Sequence, residues 1–389
     1  MVNKDFSSCS VLVIEDNLQS QTLIGKFLNL ISINNVHYSK NGEDGILKAL
    51  TVNPDLIILN LNLPNMRGDE VLMKIKATPK IRDIPVLIET SYESQDMKDL
   101  MFKAGASDYI TKPFSLLEFF SRIKINLENR LLIKTLEKEL KKIETELRTA
   151  KSMQTWLLPN QNDINGLKSK FGFELSHLFL PSLKLSGDFW GVHQVTHKKV
   201  AIFSCSFEEY GLTAALNTFR LNTLIKENPI IYPFKPSSYV ESLNKVLHTM
   251  LPEGNNVKFI YGIIDFETDT FTYASAGFIS PLLISDEKIT TLGNGGEPLA
   301  LSLNTRYTDY SVPFKKGTSI FIYSDTLVKS PYICGRVLGV EGLKETLSKY
   351  VNKIDKPDTV FNNIVCEFFT NIESVKSLPD DLTMLMISK

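Results

Sequence analysis

Two acids, Glu15 and Asp16, directly follow the apolar run SVLVI (10–14), and three further polar residues close comparable runs: Asn60 in DLIILN (55–60), Thr90 in PVLIET (85–90) and Lys112 just past DYIT (108–111). Adjacent acids are costly to keep charged without a cation, so the pair suits a Mg²⁺ held by Glu15, Asp16 and water. A nearby hydroxyl and ammonium, Thr90 and Lys112, could then hold the oxygens of a phosphoryl group. Asn60 breaks the pattern. Proteins that use such a strand tip for chemistry usually place an acid there, and an amide is neither a nucleophile for phosphorus nor a charged metal ligand.

These residues meet only if the runs are strands of one sheet. Between the runs lie segments with apolar positions three and four apart: Gln19–Leu30, Glu43–Leu50, Asp69–Ala77, Gln95–Ala104 and Leu116 onward. Alternating strand and helix over residues 10–125 predicts a parallel sheet covered on both faces, in the flavodoxin-like doubly wound order. In such sheets ligands sit outside the carboxyl ends of the strands, where the five polar residues stand.

Residues 126–155 contain no Gly or Pro, and Ile133, Leu136, Leu140, Ile143, Leu147 and Ala150 recur alternately three and four apart. That spacing predicts a coiled-coil seam, with Glu137–Lys141 and Glu144–Arg148 as supporting pairs. The seam (129–154) has to bury against a second copy of itself or a neighbouring domain; the alternative is one exposed charged helix acting as a spacer. Pro159 ends this helix, and from Phe171 on strand-like runs dominate (KVAIFSCSF, KFIYGIIDF, TFTYASA, SPLLIS, TSIFIYS, LTMLMIS). Two helical pairs interrupt them, Leu212–Glu227 with Ser237–Leu251 and Glu341–Val351 with Thr359–Phe369. This predicts an α+β sandwich with helices outside the sheets. The expected divisions are 8–125, 126–158 and 159–389.

At 389 residues the chain is long enough for two or three domains, and 43% apolar with 22% charged residues suits a globular protein. A net charge of −1 gives no reason to expect nucleic acid or an anionic membrane as partner. Cys9, Cys205, Cys334 and Cys366 form no C-x-x-C pair, which fits reduced thiols. No signal-like or membrane-length apolar run is present, so a cytoplasmic location is expected.

Residues 10–125 resemble CheY-type response-regulator receiver domains through VLVIEDN, PDLIILNLNLPNMRG, IPVLIETS and GASDYITKPF. The resemblance implies metal ligation by Glu15, Asp16 and the main-chain carbonyl of Asn62. It also implies phosphoryl contacts from Thr90 and Lys112, a rotating aromatic at Tyr109, and a cis bond at Lys112-Pro113. Asn60 replaces the phosphorylated Asp, so the acyl-phosphate route should be closed and Mg²⁺ weakened.

AKSMQTWLLP (150–159), SGDFW (186–190), YASAGFISPLLI (273–284), IYSDT (322–326) and DDLTMLMI (380–387) resemble, in order, the SpoIIE/RsbU-type branch of the metal-dependent 2C-type Ser/Thr phosphatases. The resemblance implies metal positions at Asp188, Asp325 and Asp380. The family's metal-bridging Asp falls on Ser206 within SCSFEEYGLTAAL (204–216), a hydroxyl that brings no charge to an ion pair. A Mn²⁺ or Mg²⁺ pair is therefore not expected, and Glu209-Tyr210 should partly fill the cleft. Phe278, Thr326 and Lys329 depart from the family as well.

The domain order is similar to that of RssB-type proteins. That similarity implies a non-catalytic adaptor of the stationary-phase stress response, binding a sigma factor, its regulators or an anti-adaptor, and delivering the sigma factor to the ClpXP protease. The alternative is an active RsbU-like phosphatase of an anti-sigma-factor antagonist, with Glu209 as a substitute ligand.

Overall fold

The computed structural model describes all residues except 1–5, 92–94, 182–184, 209–210, 232–233, 253, 286–287, 333–335, 352–356, 373–377 and 379. The chain divides into two compact units, Met1–Ile143 and Glu144–Lys389.

In the first unit β1 (Ser10–Ile14), β2 (Asn35–Ser39), β3 (Leu56–Asn60), β4 (Val86–Thr90) and β5 (Asp108–Thr111) alternate with α1 (Leu18–Leu30), α2 (Gly42–Val52), α3 (Gly68–Ala77), α4 (Gln95–Lys103) and α5 (Leu116–Thr155). The sheet order is β2-β1-β3-β4-β5, and every pairing is parallel. Alternate residues of each strand feed opposite cores. Leu12, Ile14, Ile57, Leu59, Val86 and Ile88 pack with Ala49 of α2 and Val71, Leu72 and Ile75 of α3. Val11, Val13, Leu56, Ile58, Leu87 and Ile110 pack with Ile24 and Leu28 of α1 and Phe119, Ile123 and Leu127 of α5. Both faces are covered, which is why β1, β3 and β4 are buried throughout.

Local chemistry fixes the loops at the carboxyl ends. Asn17 caps α1 by accepting from the amides of Gln19 and Ser20. Gly68 lets α3 start against the end of β3, where a Cβ would come within 2.5 Å of the Asn60 carbonyl.

α5 is one helix of 40 residues, so the last helix of the parallel sheet and the expected linker form a continuous element. The expected seam divides. Ile133, Leu136, Leu140 and Ile143 are 47%, 55%, 61% and 49% exposed, whereas Gln154, further along the helix, is buried. Its side chain bonds Ser186 on both sides, Nε2 to the carbonyl at 2.5 Å and Oε1 from the amide at 2.9 Å. The helix stops at Thr155, ahead of Pro159, and α6 (Gln161–Phe171) follows, a helix that the periodicity did not reveal.

The second unit contains β6 (Glu174–Leu180), β7 (Asp188–Thr196), β8 (Lys199–Phe207), α7 (Leu212–Glu227), α8 (Pro236–Met250), β9 (Val257–Asp265), β10 (Thr270–Ala276), β11 (Leu282–Ser285), β12 (Lys288–Thr291), β13 (Tyr310–Pro313) and β14 (Ser319–Tyr323). After these come α9 (Thr326–Lys329), β15 (Pro331–Tyr332), β16 (Arg336–Val337), α10 (Gly339–Val351), α11 (Pro357–Asn371) and β17 (Leu382–Ser388). Two antiparallel five-stranded sheets form, ordered β13-β10-β9-β8-β7 and β12-β11-β14-β17-β6. Trp190, Ile202, Ile260 and Phe271 of one sheet meet Ile320, Ile322, Leu385 and Ile387 of the other in a shared core. The outer face of the first sheet packs on Leu221, Ile225, Leu243 and Leu247 of α7 and α8. That of the second packs on Leu343, Leu347, Phe361 and Ile364 of α10 and α11. The result is a helix–sheet–sheet–helix sandwich, with each sheet apolar on both faces.

Cys9 and Cys205 are buried thiols and Cys366 is an exposed one, while Cys334 lies outside the described residues. Among the described residues no helix is long and apolar enough to cross a membrane.

Candidate functional site

In the first unit the five polar residues converge as the topology requires. Asn60 closes β3, the central strand beside β1, and its side chain is 8% exposed. Its amide Nδ2 donates to Glu15 Oε1 at 3.0 Å, to Asp16 Oδ1 at 3.4 Å and to the Asn62 carbonyl at 3.2 Å. The Asn62 amide donates back to Asn60 Oδ1 at 3.1 Å, which fixes the orientation of the side-chain amide. The three oxygens that the resemblance assigns to a metal thus share the two N–H hydrogens of the Asn60 amide. An amide N–H carries partial positive charge, so Asn60 partly neutralises the acids it faces.

Lys112, after β5, reaches Glu15 Oε2 at 2.7 Å, and the Lys112-Pro113 bond is cis. Burial works against the charge on Glu15, yet Lys112 and the Asn17 amide hold its carboxyl below the usual range. Burial and the neighbouring Glu15 push Asp16 up. Thr90 is buried at the end of β4, and its carbonyl accepts from the Lys112 amide at 2.8 Å. Tyr109 lies half-buried between Lys98 (Nζ 4.5 Å from the ring centre) and Arg122 (5.5 Å) and meets Phe102 edge-on.

One member of this group was not foreseen. Glu89, opposite Asn60 in the β3–β4 pairing, is 1% exposed, and its Oε2 lies 3.3 Å from Lys112 Nζ. Burial pushes its carboxyl up to about 7, with Lys112 opposing and Glu15 adding to the rise. An acid inside the otherwise apolar run PVLIET was the available signal.

In the second unit Asp188, Ser206 and Lys258 stand side by side across β7, β8 and β9, since Asp188 pairs with Ser206 and Ser206 with Lys258. Directly paired residues share a face, so the three form a row. Asp188 is 2% exposed and accepts from the Thr383 hydroxyl at 3.0 Å. Burial and the nearby Asp381 push its carboxyl well above the usual range, and a bond from Ser206 only partly offsets this.

Asp325 follows β14 and begins α9. Its Oδ2 lies 2.6 Å from Lys329 Nζ and 3.1 Å from Lys258 Nζ. Burial opposes its charge, but Lys329 and Lys258 outweigh burial and hold it below the usual carboxylate range. Lys258 also lies 3.6 Å from Glu208 Oε1. Asp380 is half-buried and raised, mainly by burial, with Asp381 and Asp325 adding to the rise. Ser206, Glu208, Lys258, Asp325, Thr326, Lys329 and Asp380 line one cleft of about 370 Å³.

Three acids expected from the sequence therefore stand around the same few strands, but Lys258 was missed. Its signal was a charge at the head of the apolar run KFIYGIIDF. Asp381, beside Asp380, is structural: its Oδ2 accepts from Ser186 Oγ at 2.6 Å, the Gly187 amide at 2.7 Å and the Asp188 amide at 3.4 Å. Phe278 packs in the core between the sheets. Glu209 and Tyr210 lie outside the described residues, so the expected filling of the cleft falls there too. Among the described residues no three His, Cys, Asp or Glu side chains gather so as to hold a metal ion. The residues at this cleft fit a divalent pair poorly. A divalent ion about 4 Å from an ammonium is repelled by roughly 8 kcal/mol at an effective dielectric near 20, twice the unit-charge value.

The response regulator receiver domain family matches residues 11–124, and the Stage II sporulation protein E (SpoIIE) family matches residues 198–389. The chain is a receiver domain joined to a SpoIIE-type domain. Its receiver relatives include CiaR, a transcriptional regulatory protein of Streptococcus pneumoniae, 38% identical over 118 residues, which is 30% of this chain and 51% of CiaR. Hybrid signal transduction histidine kinase D of Dictyostelium discoideum is 30% identical over 137 residues, 35% of this chain and 9% of the kinase. The chain thus spans from a tenth to about half of these relatives, and their whole activities do not pass to it. The SiaA-PP2C domain of Pseudomonas aeruginosa superposes with a TM-score of 0.55 at 18% identity, over 65% of this chain and 98% of that one, which is a likeness of fold. The fold is that of a PP2C-type phosphatase, and the domain pair is of the kind used in signalling regulation.

Proposed function

We propose that this protein is a non-catalytic regulator whose receiver and SpoIIE-type domains act by binding other proteins. The observation that carries the reading is the row Asp188–Ser206–Lys258, in which a hydroxyl stands at the position the resemblance gives to a metal-bridging acid and an ammonium stands beside it, where two-metal hydrolysis needs bridging anions and no competing cation. Asn60 supports it from the receiver side. Without a carboxylate at that position there is no nucleophile for a phosphoryl donor, and a Mg²⁺ would have to displace the amide from three acceptors. Glu15, Asp16 and the Asn62 carbonyl would hold such an ion weakly.

In this reading the protein works in the cytoplasm as an RssB-type adaptor of the general stress response. It engages a sigma factor, a sigma-factor regulator or an anti-adaptor, and delivers the sigma factor to ClpXP. The open stretch Ile133–Ile143 of α5 is a surface for a second copy of the chain. The expected result is that the full chain hydrolyses neither p-nitrophenyl phosphate nor a phosphoserine peptide with Mn²⁺ present, and retains a sigma factor or one of its regulators from its native cytoplasm. Turnover abolished by Asp325→Ala would instead establish an RsbU-like phosphatase, the reading favoured by the gathering of Asp325 and Asp380 at one cleft.

A further inference from the structure

We infer that Lys258 is a built-in counter-cation that takes the place of a metal in the SpoIIE-type cleft, so that neutralising this one side chain opens a divalent-cation site there. The inference rests on the non-catalytic reading and names the residue that enforces it. Lys258 extends from the row next to Ser206 and bridges Asp325 (3.1 Å) and Glu208 (3.6 Å), which follow different strands of different sheets. Asp380 feels its charge as well. Its side chain is about one-quarter exposed, whereas that of Lys329, the second cation on Asp325, is 66% exposed and belongs to the short helix that Asp325 begins. Lys329 can swing into solvent; Lys258, anchored in β9 between two acids, has much less freedom to leave.

Relative to a cleft with an acid at Ser206 and a neutral residue at Lys258, this one has lost a negative charge and gained a positive one in adjacent positions of a single row. The acids at Asp325, Glu208 and Asp380 remain, and they are satisfied from within the chain. Stability at this site therefore does not depend on a metal. Removing the ammonium would leave Asp325 and Glu208 without their shared partner and facing the space it occupied, which oxygen-coordinated Mn²⁺ suits.

The test is Mn²⁺ titration by electron paramagnetic resonance on the full chain, with Asp16→Asn in every sample to silence the receiver acids. The parent should show no Mn²⁺ site that is lost on Asp325→Asn. Lys258→Met should bind Mn²⁺ at least tenfold more tightly, and Asp325→Asn in that background should abolish the gain. Lys329→Met should gain less. Lys258→Gln keeps a polar contact and gives the same reading if the methionine variant melts without a cooperative transition. A folded Lys258 variant that binds no better than the parent overturns the inference, as does a parent site sensitive to Asp325→Asn. Hydrolysis of p-nitrophenyl phosphate, followed on the same samples, separates the two proposals. Turnover by the parent defeats the non-catalytic reading, whereas an absent Mn²⁺ gain without turnover defeats only the role of Lys258.

Discussion

Replacing Glu89 by glutamine should stabilise the receiver in a pH-dependent way. Glu89 is 1% exposed beside Lys112 and Glu15, and its carboxyl is pushed up to about 7 from an ordinary 4.5. A carboxyl that binds its proton more tightly when folded favours the native state below 4.5. It loses that contribution as pH rises to about 7, and above that the charged form is carried at a fixed cost. A gap of about 2.5 in pKa, at about 1.36 kcal/mol each, puts this cost near 3 kcal/mol. The Glu89→Gln substitution would keep the shape, leave the Lys112–Glu15 pair in place and titrate nowhere. Hydrogen exchange of peptides covering Val86–Thr90 isolates the receiver, and taking the variant-to-parent ratio of protection at each pH cancels the intrinsic exchange rate. That ratio should sit near unity at pH 4 and climb to roughly 300-fold by pH 8. A flat ratio would refute the account of Glu89 as a carboxyl held uncharged by its burial.

Three further outcomes follow from the same geometry. Asn60→Asp restores a carboxylate between Glu15 and Asp16, so acetyl phosphate with Mg²⁺ should add a phosphoryl group detectable by mass spectrometry, while the parent receiver stays unmodified. Asp381→Ala strands the buried Gly187 amide, leaves the Ser186 hydroxyl only its contacts with the Asp188 main chain, and should cost about 1–3 kcal/mol. Both tryptophans, Trp156 and Trp190, lie in the second unit, so urea unfolding read by their emission reports that domain, and an unchanged midpoint would contradict the structural role of Asp381. Leu140→Asp puts a charge in the open part of the seam and should weaken self-association in sedimentation velocity; unchanged association and unchanged partner capture would remove α5 as the interface.

The receiver was readable because a parallel sheet buried on both faces leaves apolar runs punctuated at one end, and the residues at that end are adjacent in the sequence to the runs that place them. Asn60, Thr90 and Lys112 could be located from strand ends alone. Glu89 escaped notice because an acid inside a run contributes nothing to periodicity, and only the fold reveals that it points at Lys112. In the second unit the motifs around Asp325 and Asp380 announced them as site residues, yet Lys258 became meaningful only through the register that sets it beside Ser206. Strand pairing between segments so far apart in the chain is not encoded in any local pattern. The seam of α5 was legible as a period, but not its partition. Gln154 closes the seam, and its bonds to Ser186 depend on a loop more than thirty residues away.

The most direct measurement is anomalous diffraction at the manganese edge from a crystal of the unmodified chain soaked in Mn²⁺. Acids already neutralised by Lys258 and Lys329 predict no ordered manganese between Asp188, Asp325 and Asp380. A pair of strong peaks bridging those carboxylates, with the Lys258 ammonium displaced, would contradict the account.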